Sequence, residues 1–160
     1  LRFFTVYGPW GRPDMALFKF TKGILNNKPI DIYNNGYMYR DFTYIDDIVD
    51  GIYLLLKKIP NKKQIGKYKN DSLSKVAPFR ILNIGNSNKV LLLNFLKEIE
   101  LRLNKKSKRK YMPLQKGDVI KTLSNIKLIK SIAKYDPKTN YKKGIREFIK
   151  WYKSYYKIIS

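Results

Sequence analysis

The chain has 160 residues, with 34 Lys and Arg against 12 Asp and Glu and a formal net charge of +22. It contains no Cys and no His, which excludes disulfides, a thiolate nucleophile, Ser-His catalysis and the usual zinc ligand sets. A 44% hydrophobic content is enough for one core at the roughly 100–200 residues of a domain, and no apolar run approaches the ~18 residues of a membrane span.

In chain order, Leu1–Phe4 reads as the end of a buried strand, and the Gly- and Pro-rich stretch Thr5–Met15 reads as a loop. Apolar residues at 17, 18, 20, 24 and 25 predict a helix over Ala16–Asn26. Ile30–Tyr33 alternates as a strand does, Asn34-Asn35-Gly36 is a turn signal, and Tyr39–Tyr44 predicts a second short strand. Asp46 or Asp47 is expected to cap a helix reaching about Lys58, with Ile48, Val49, Ile52, Leu55 and Leu56 on one face. Asn61–Pro78 is polar and lacks a period, so it reads as a surface loop. Arg80–Ile84 predicts a strand closed by Gly85-Asn86, Leu92–Leu103 a helix, and Lys108–Met112 a short strand. Gly117-Asp118 marks a turn, and Ile126–Ala133 a short helix broken by Asp136-Pro137. A last helix begins at Thr139 or Asn140 and runs to about Tyr156. Alternating strands and helices place the chain in the α/β or α+β class.

The charge is unevenly spread. Residues 1–56 hold six basic and six acidic residues, so the whole excess lies in residues 57–160. Of the basic residues 27 are Lys and seven are Arg, accompanied by 19 Ile, 13 Asn and 13 Tyr, a set with A/T-rich codons. Nucleic-acid interfaces favour Arg, whose planar fork fits phosphate and base edges. The run Lys105-Lys106-Ser107-Lys108-Arg109-Lys110 therefore reads as solvated surface. A basic nucleic-acid-binding module stays as a remote alternative.

Several blocks carry a more specific signal. They are Leu1-Arg-Phe-Phe-Thr-Val-Tyr-Gly-Pro-Trp-Gly-Arg-Pro-Asp-Met15, Pro29-Ile-Asp-Ile-Tyr-Asn-Asn-Gly-Tyr-Met-Tyr-Arg-Asp-Phe-Thr-Tyr-Ile-Asp-Asp47, Ala77-Pro-Phe-Arg-Ile-Leu-Asn-Ile-Gly-Asn-Ser87, Gln115-Lys-Gly-Asp-Val119, and Asp136-Pro-Lys-Thr with Gly144-Ile-Arg-Glu-Phe-Ile-Lys-Trp-Tyr152. In this order they resemble the extended short-chain dehydrogenase/reductase family of NAD-dependent nucleotide-sugar epimerases and dehydratases, in particular its UDP-glucuronate 4-epimerase branch. The resemblance covers essentially the whole chain. It implies an α/β fold, the C-terminal part of a Rossmann-type enzyme with a small mixed α/β substrate-binding lobe, with residues 1–160 as that substrate-binding portion.

The family's Gly-rich NAD loop and its catalytic Tyr-x-x-x-Lys have no counterpart here, so no catalytic residue is expected in this stretch, and the chain is expected to be inactive alone. It begins without Met, and it reads as cut from something longer. Tyr53-Leu-Leu-Leu-Lys57 matches Tyr-x-x-x-Lys but falls in the wrong place, and about two such matches are expected by chance from this composition.

The resemblance implies a site. Thr5 faces the hexose ring, where its hydroxyl suits a uronate carboxylate. Tyr7-Gly8-Pro9 forms the turn beside the nicotinamide of NAD. Arg12 lies over the substrate, Lys19 offers a point charge to the diphosphate, and Arg40 binds phosphate, followed by a structural Asp41. Ile32 and Tyr33 lie on the strand whose backbone meets the uracil, and Asp118 approaches the ribose. Plain alternatives stand beside these: a Thr satisfying a loop group, an ordinary tight turn, an exposed helix lysine. Lys116-Gly117-Asp118 and Ser124-Asn125 depart from the family's usual Pro-Gly-Asp and Ala-Asp. Trp151 and Tyr152 read as packing residues.

The expected function is binding of a UDP-hexuronate in an NAD-dependent 4-epimerase acting by transient oxidation at C4. Another UDP-sugar 4-epimerase or a nucleotide-sugar dehydratase is the alternative. The expected partners are the UDP-sugar and, in the full-length enzyme, a second copy; no metal, nucleic acid or membrane is expected, and the cytoplasm is the expected compartment. A lone half of such a fold should expose a sheet edge and an apolar face.

Overall fold

The structure, a computed structural model, describes residues 1–158. Seven short strands and five helices are interspersed along these residues, the mixed α/β class that the sequence pattern predicts. The strands are β1 (Arg2–Phe3), β2 (Thr5–Tyr7), β3 (Pro29–Tyr33), β4 (Tyr39–Tyr44), β5 (Asn83–Ile84), β6 (Lys89–Leu91) and β7 (Lys108–Met112). The helices are α1 (Ala16–Leu25), α2 (Ile45–Leu56), α3 (Leu92–Leu103), α4 (Lys127–Ala133) and α5 (Tyr141–Tyr155).

They form three small sheets: β1 parallel to β5, β2–β4–β6 with the first pair parallel and the second antiparallel, and β3 parallel to β7. The Asn34-Asn35-Gly36 turn is present, with all three residues at positive φ. It does not make a hairpin, because β3 leaves for β7 while β4 pairs with β2 and β6. Neither β6 nor β2, which occupies the start of the Thr5–Met15 stretch read as a loop, was anticipated; three residues are too few for a period to show.

Two cores hold the chain together. The larger packs Phe18 and Ile24 of α1, Ile32, Phe42, Phe95 and Ile99 of α3, and Ile145 and Phe148 of α5. The smaller gathers Ile48, Leu82, Ile84, Ile129, Ile132 and Tyr135. The helix ends follow their local chemistry. The Asn140 side chain accepts the Lys143 N–H at 3.0 Å to start α5, and Asn104 takes the left-handed conformation that stops α3.

Four expectations need correction. Leu1–Phe4 does include a strand, but β1 is exposed, since its only strand neighbour among the described residues is β5. Asp46 and Asp47 do not cap α2; the cap position is Tyr44, with no side-chain bond. Asp47 is buried and accepts the N–H groups of Lys138 and Thr139, each at 3.1 Å, so it ties α2 to the entry of α5. The apolar face of α2 is only partly covered. Ile48 is buried, whereas Val49, Ile52, Tyr53 and Leu56 form an exposed stripe at helical spacing. Finally, the strand expected over Arg80–Ile84 shrinks to Asn83–Ile84, because the residues before it serve the 61–78 loop. The Arg80 guanidinium is buried and grips Asp71 with two bonds of 2.8 and 2.9 Å, and Ile81 exchanges two bonds with the Ser72 hydroxyl.

Candidate functional site

A cavity of about 770 Å³ opens between α1, β3, β4 and the segment around Asp118. Thr5, Lys19, Tyr33, Arg40 and Asp118 line it, together with Asp14, Lys22, Lys28 and Asp31.

The strand β4 organises this wall by alternation, since successive side chains leave a strand on opposite faces. Arg40 faces the cavity. One Nη donates to the Tyr39 carbonyl at 3.0 Å and the other to Asp118 Oδ1 at 2.6 Å. A guanidinium carries five N–H donors, so three remain for a ligand. Asp41, on the other face, is fully buried. Its carboxylate accepts the N–H groups of Asn86, Ser87 and Ser124 at 3.0, 3.0 and 2.8 Å, and the Ser124 hydroxyl at 2.5 Å. Backbone bonds then lace the late segment along β4: Tyr39 N–H donates to the Ile120 carbonyl at 2.8 Å, and Thr122 N–H donates to the Tyr39 carbonyl at 3.1 Å. These bonds, with the Gly117 turn at φ +81°, bring Asp118 to Arg40 across 78 residues of sequence. The Ser124 that departs from the family pattern is thus a buried donor to Asp41.

Other expected residues lie elsewhere. Tyr7 is a core residue, its ring set edge-on against Phe42, Tyr44 and Phe95 at 5.7–6.0 Å. Burial pushes its hydroxyl well above the ordinary tyrosine range, with the Asp47 charge adding to the effect, so it stays neutral. Its oxygen has no hydrogen-bond partner and abuts Gly144. A Cβ added at Gly8 would run into Ile45, 2.6 Å away, so this glycine serves packing of the turn onto α2. None of Tyr7, Gly8 and Pro9 lines this cavity. Arg12 is exposed and bound at both ends to Asp14, by Nε at 3.0 Å and Nη at 2.5 Å. That pairing lowers the Asp14 carboxyl below its usual range. Ile32 is fully buried, and its neighbours Ile30, Asp31 and Tyr33 reach the cavity instead. Tyr53 of the Tyr-x-x-x-Lys match is exposed on α2, outside this cavity.

The site also contains residues that were not anticipated. Lys22 stands one turn beyond Lys19 on α1, a spacing that could have revealed it. Lys28 and Asp31 enter through the loop and strand after α1, where nothing in the residue pattern marks them. Lys19, Lys22 and Lys28 have no ion pair among the described residues, whereas Arg40 is offset by Asp118. The basic run 105–110 is partly structural: it leads into β7, and Arg109 bonds buried Glu100 at 3.0 and 3.1 Å. No group of His, Cys, Asp or Glu among the described residues could hold a metal, and no helix there is long and apolar enough to cross a membrane.

Known proteins share this arrangement of chain. Protein CapI of Staphylococcus aureus is 50% identical over 159 residues, covering 98% of this chain and 47% of its own length. A probable UDP-glucuronate 4-epimerase of Rhizobium meliloti is 42% identical over 158 residues, again 98% of this chain and 46% of its own. The crystal structure of UDP-glucuronic acid 4-epimerase from Bacillus cereus, in complex with UDP-glucuronic acid and NAD, superposes with a TM-score of 0.80 at 27% identity, over 97% of this chain and 45% of that one. The chain thus spans about half the length of the relatives it matches. The α/β fold is that of the extended short-chain dehydrogenase/reductase enzymes, and the profile of the NAD dependent epimerase/dehydratase family matches residues 1–91. The chain belongs to that family.

Proposed function

We propose that residues 1–160 supply the nucleotide-sugar-binding portion of an NAD-dependent UDP-glucuronate 4-epimerase. The observation that carries this reading is the cavity wall: an Arg40 fork with three donors to spare, beside three lysines that make no ion pair among the described residues. UDP-glucuronate carries a diphosphate and a carboxylate, which suit the free donors of the fork and these ammonium groups. Relatives that carry the UDP-glucuronate 4-epimerase name support the choice of sugar.

In this reading Arg40 grips the diphosphate, Lys19 and Lys22 add charge along α1, and Thr5 offers its hydroxyl toward the sugar. The edge of β3 at Asp31–Tyr33 borders the base, and Asp118 holds the Arg40 fork while approaching the ribose. Bound NAD supplies reversible hydride transfer at the sugar. The sequence holds no Gly-x-Gly-x-x-Gly, and Tyr7 and Gly8 are packed, so cofactor and catalytic base are assigned to the length of the relatives that this chain does not match. The chain's own task is to hold and orient the nucleotide, which fixes the sugar for reaction. Assembly of the full-length enzyme as a homodimer is part of the same proposal, tested by its mass in solution.

The test is product analysis. A full-length polypeptide carrying this chain, given NAD, converts UDP-glucuronate to UDP-galacturonate. The 160 residues alone bind UDP-glucuronate without turnover. Conversion only of neutral UDP-sugars, or formation of a dehydrated keto-sugar, would replace this assignment with one of the alternatives.

A further inference from the structure

The loop from Gly8 to Met15 joins β2 to α1, and only its second half, Pro13–Met15, reaches the cavity. The first half turns on Trp10, whose backbone is left-handed at φ +61°. A bulky aromatic residue rarely adopts that conformation, and one that does must be held there by its surroundings. Burial does not hold it, because Trp10 is 72% exposed. Two rings on the last helix do. Trp10 meets Trp151 with centroids 5.2 Å apart and Tyr155 at 5.0 Å, edge-on. Trp151 and Tyr155 stack on each other one helical turn apart, at 5.4 Å. Trp151 in turn contacts Phe148 of the main core at 5.5 Å. Within the loop, Gly11 N–H donates to the Gly8 carbonyl and Met15 N–H to the Arg12 carbonyl, each at 3.2 Å. The second of these turns contains the Arg12–Asp14 pair.

We infer that Trp10 is a positioning residue, anchoring the cavity loop on α5 through Trp151 and Tyr155 and so setting the wall formed by Pro13, Asp14 and Met15. The ring cluster stands away from the cavity, yet it fixes one end of a loop whose other end lines it. Offset and edge-on ring contacts are strong enough to offset a strained backbone. The cavity's ligand is taken from the UDP-glucuronate reading above; the anchor itself does not depend on it.

The experiment uses the 160-residue chain in three variants with two readouts. Trp10→Asn removes the ring while keeping a residue that tolerates left-handed backbone. Tyr155→Ala removes a partner from the far end of the sequence, where no direct effect on loop stiffness is possible. Trp10→Phe keeps an aromatic ring. Hydrogen exchange, read without ligand, should speed up in residues 11–16 for Trp10→Asn and Tyr155→Ala, stay near wild type for Trp10→Phe, and remain unchanged in α3. Calorimetry with UDP-glucuronate should show about five- to tenfold weaker binding for the first two and recovery in Trp10→Phe. Unchanged loop exchange in both Trp10→Asn and Tyr155→Ala overturns the anchor. Faster exchange with unchanged affinity overturns its positioning role. If the wild-type chain binds no UDP-sugar, the reading of the cavity fails, and the exchange data still decide for or against the anchor.

Discussion

Arg40 and Asp118 meet at 2.6 Å although 78 residues separate them in sequence. The pair is half open to solvent at Asp118 and mostly enclosed at Arg40, so the fork is pre-set before any ligand arrives. Replacing Arg40 by Ala should weaken UDP binding by about ten- to a hundredfold, the scale of hydrogen bonds to charged groups. Arg40→Lys should recover little of it, because a compact ammonium lacks the planar fork that spans Asp118, the Tyr39 carbonyl and a diphosphate from one fixed position. Calorimetric titration with UDP measures both; equal affinities for wild type and Arg40→Ala would place the nucleotide elsewhere.

The buried Arg80–Asp71 pair gives a stability prediction. Truncating one partner leaves the other charge desolvated, at a cost of about 3–5 kcal/mol. Asp71→Ala should therefore lower the unfolding free energy by that order in urea melts. Asp71→Leu combined with Arg80→Met should recover most of it, because no buried charge is left.

Ser124 offers a smaller, local test. Its hydroxyl and its N–H both donate to Asp41. Ser124→Ala removes one of these bonds and should cost about 1–3 kcal/mol in the same melts. Hydrogen exchange should rise at Asn86 and Ser87, which share the Asp41 carboxylate.

Glu100 supplies the pH dependence. Burial alone would raise its carboxyl, but bonds from the Ser107 N–H and hydroxyl and from Arg109 outweigh that and hold it below the usual range. A carboxylate depressed in the folded state stabilises fully above its unfolded value of about 4.3. That contribution is lost as pH falls through the lowered folded value. Wild-type stability should thus decline as pH drops below about 4.3, and Glu100→Gln should show a shallower decline. Parallel urea melts across that range provide the measurement.

The exposed stripe Val49, Ile52, Tyr53 and Leu56 lies beside the face where Gly51 packs on Ile84, and Ile84 is also the partner of the exposed Phe3. Apolar surface and a half-covered parallel strand thus occur together, whereas parallel sheets are normally covered on both faces. The isolated chain should bind a hydrophobic dye and associate as its concentration rises. Ile52→Lys with Leu56→Lys should reduce both without lowering the melting temperature; unaltered association would point to another surface.

The fold was legible wherever a residue pattern spans several turns or a strand. The periodicity of α1, α3 and α5, the Asn140 cap and the alternation of β3 and β4 all read through. Contacts closed by single bonds did not. Nothing local in Asp47 says that it accepts from Lys138 and Thr139, and nothing in Arg80 says that it is buried on Asp71. The cavity was legible at Thr5, Tyr33, Arg40 and Asp118 because those lie in blocks that resemble a family, and at Lys19 because it stands on the helix that follows the first block. Lys28 was not, since its position depends on how the chain turns from α1 into β3, and Asp31, although inside a block, carried no mark of facing the cavity. The burial of Tyr7 was not legible either, since it depends on Phe42, Tyr44 and Phe95 closing around the ring from distant parts of the chain.

Trp10 and Trp151 are the only two tryptophans in the chain, and they touch. The intrinsic fluorescence excited at the red edge therefore originates at one corner, where the β2–α1 loop meets the last helix. A melt followed by that emission reports the release of this corner, whereas circular dichroism reports the helices as a whole. Any gap between the two midpoints would measure how independently the cavity loop comes free, with no label and no substitution.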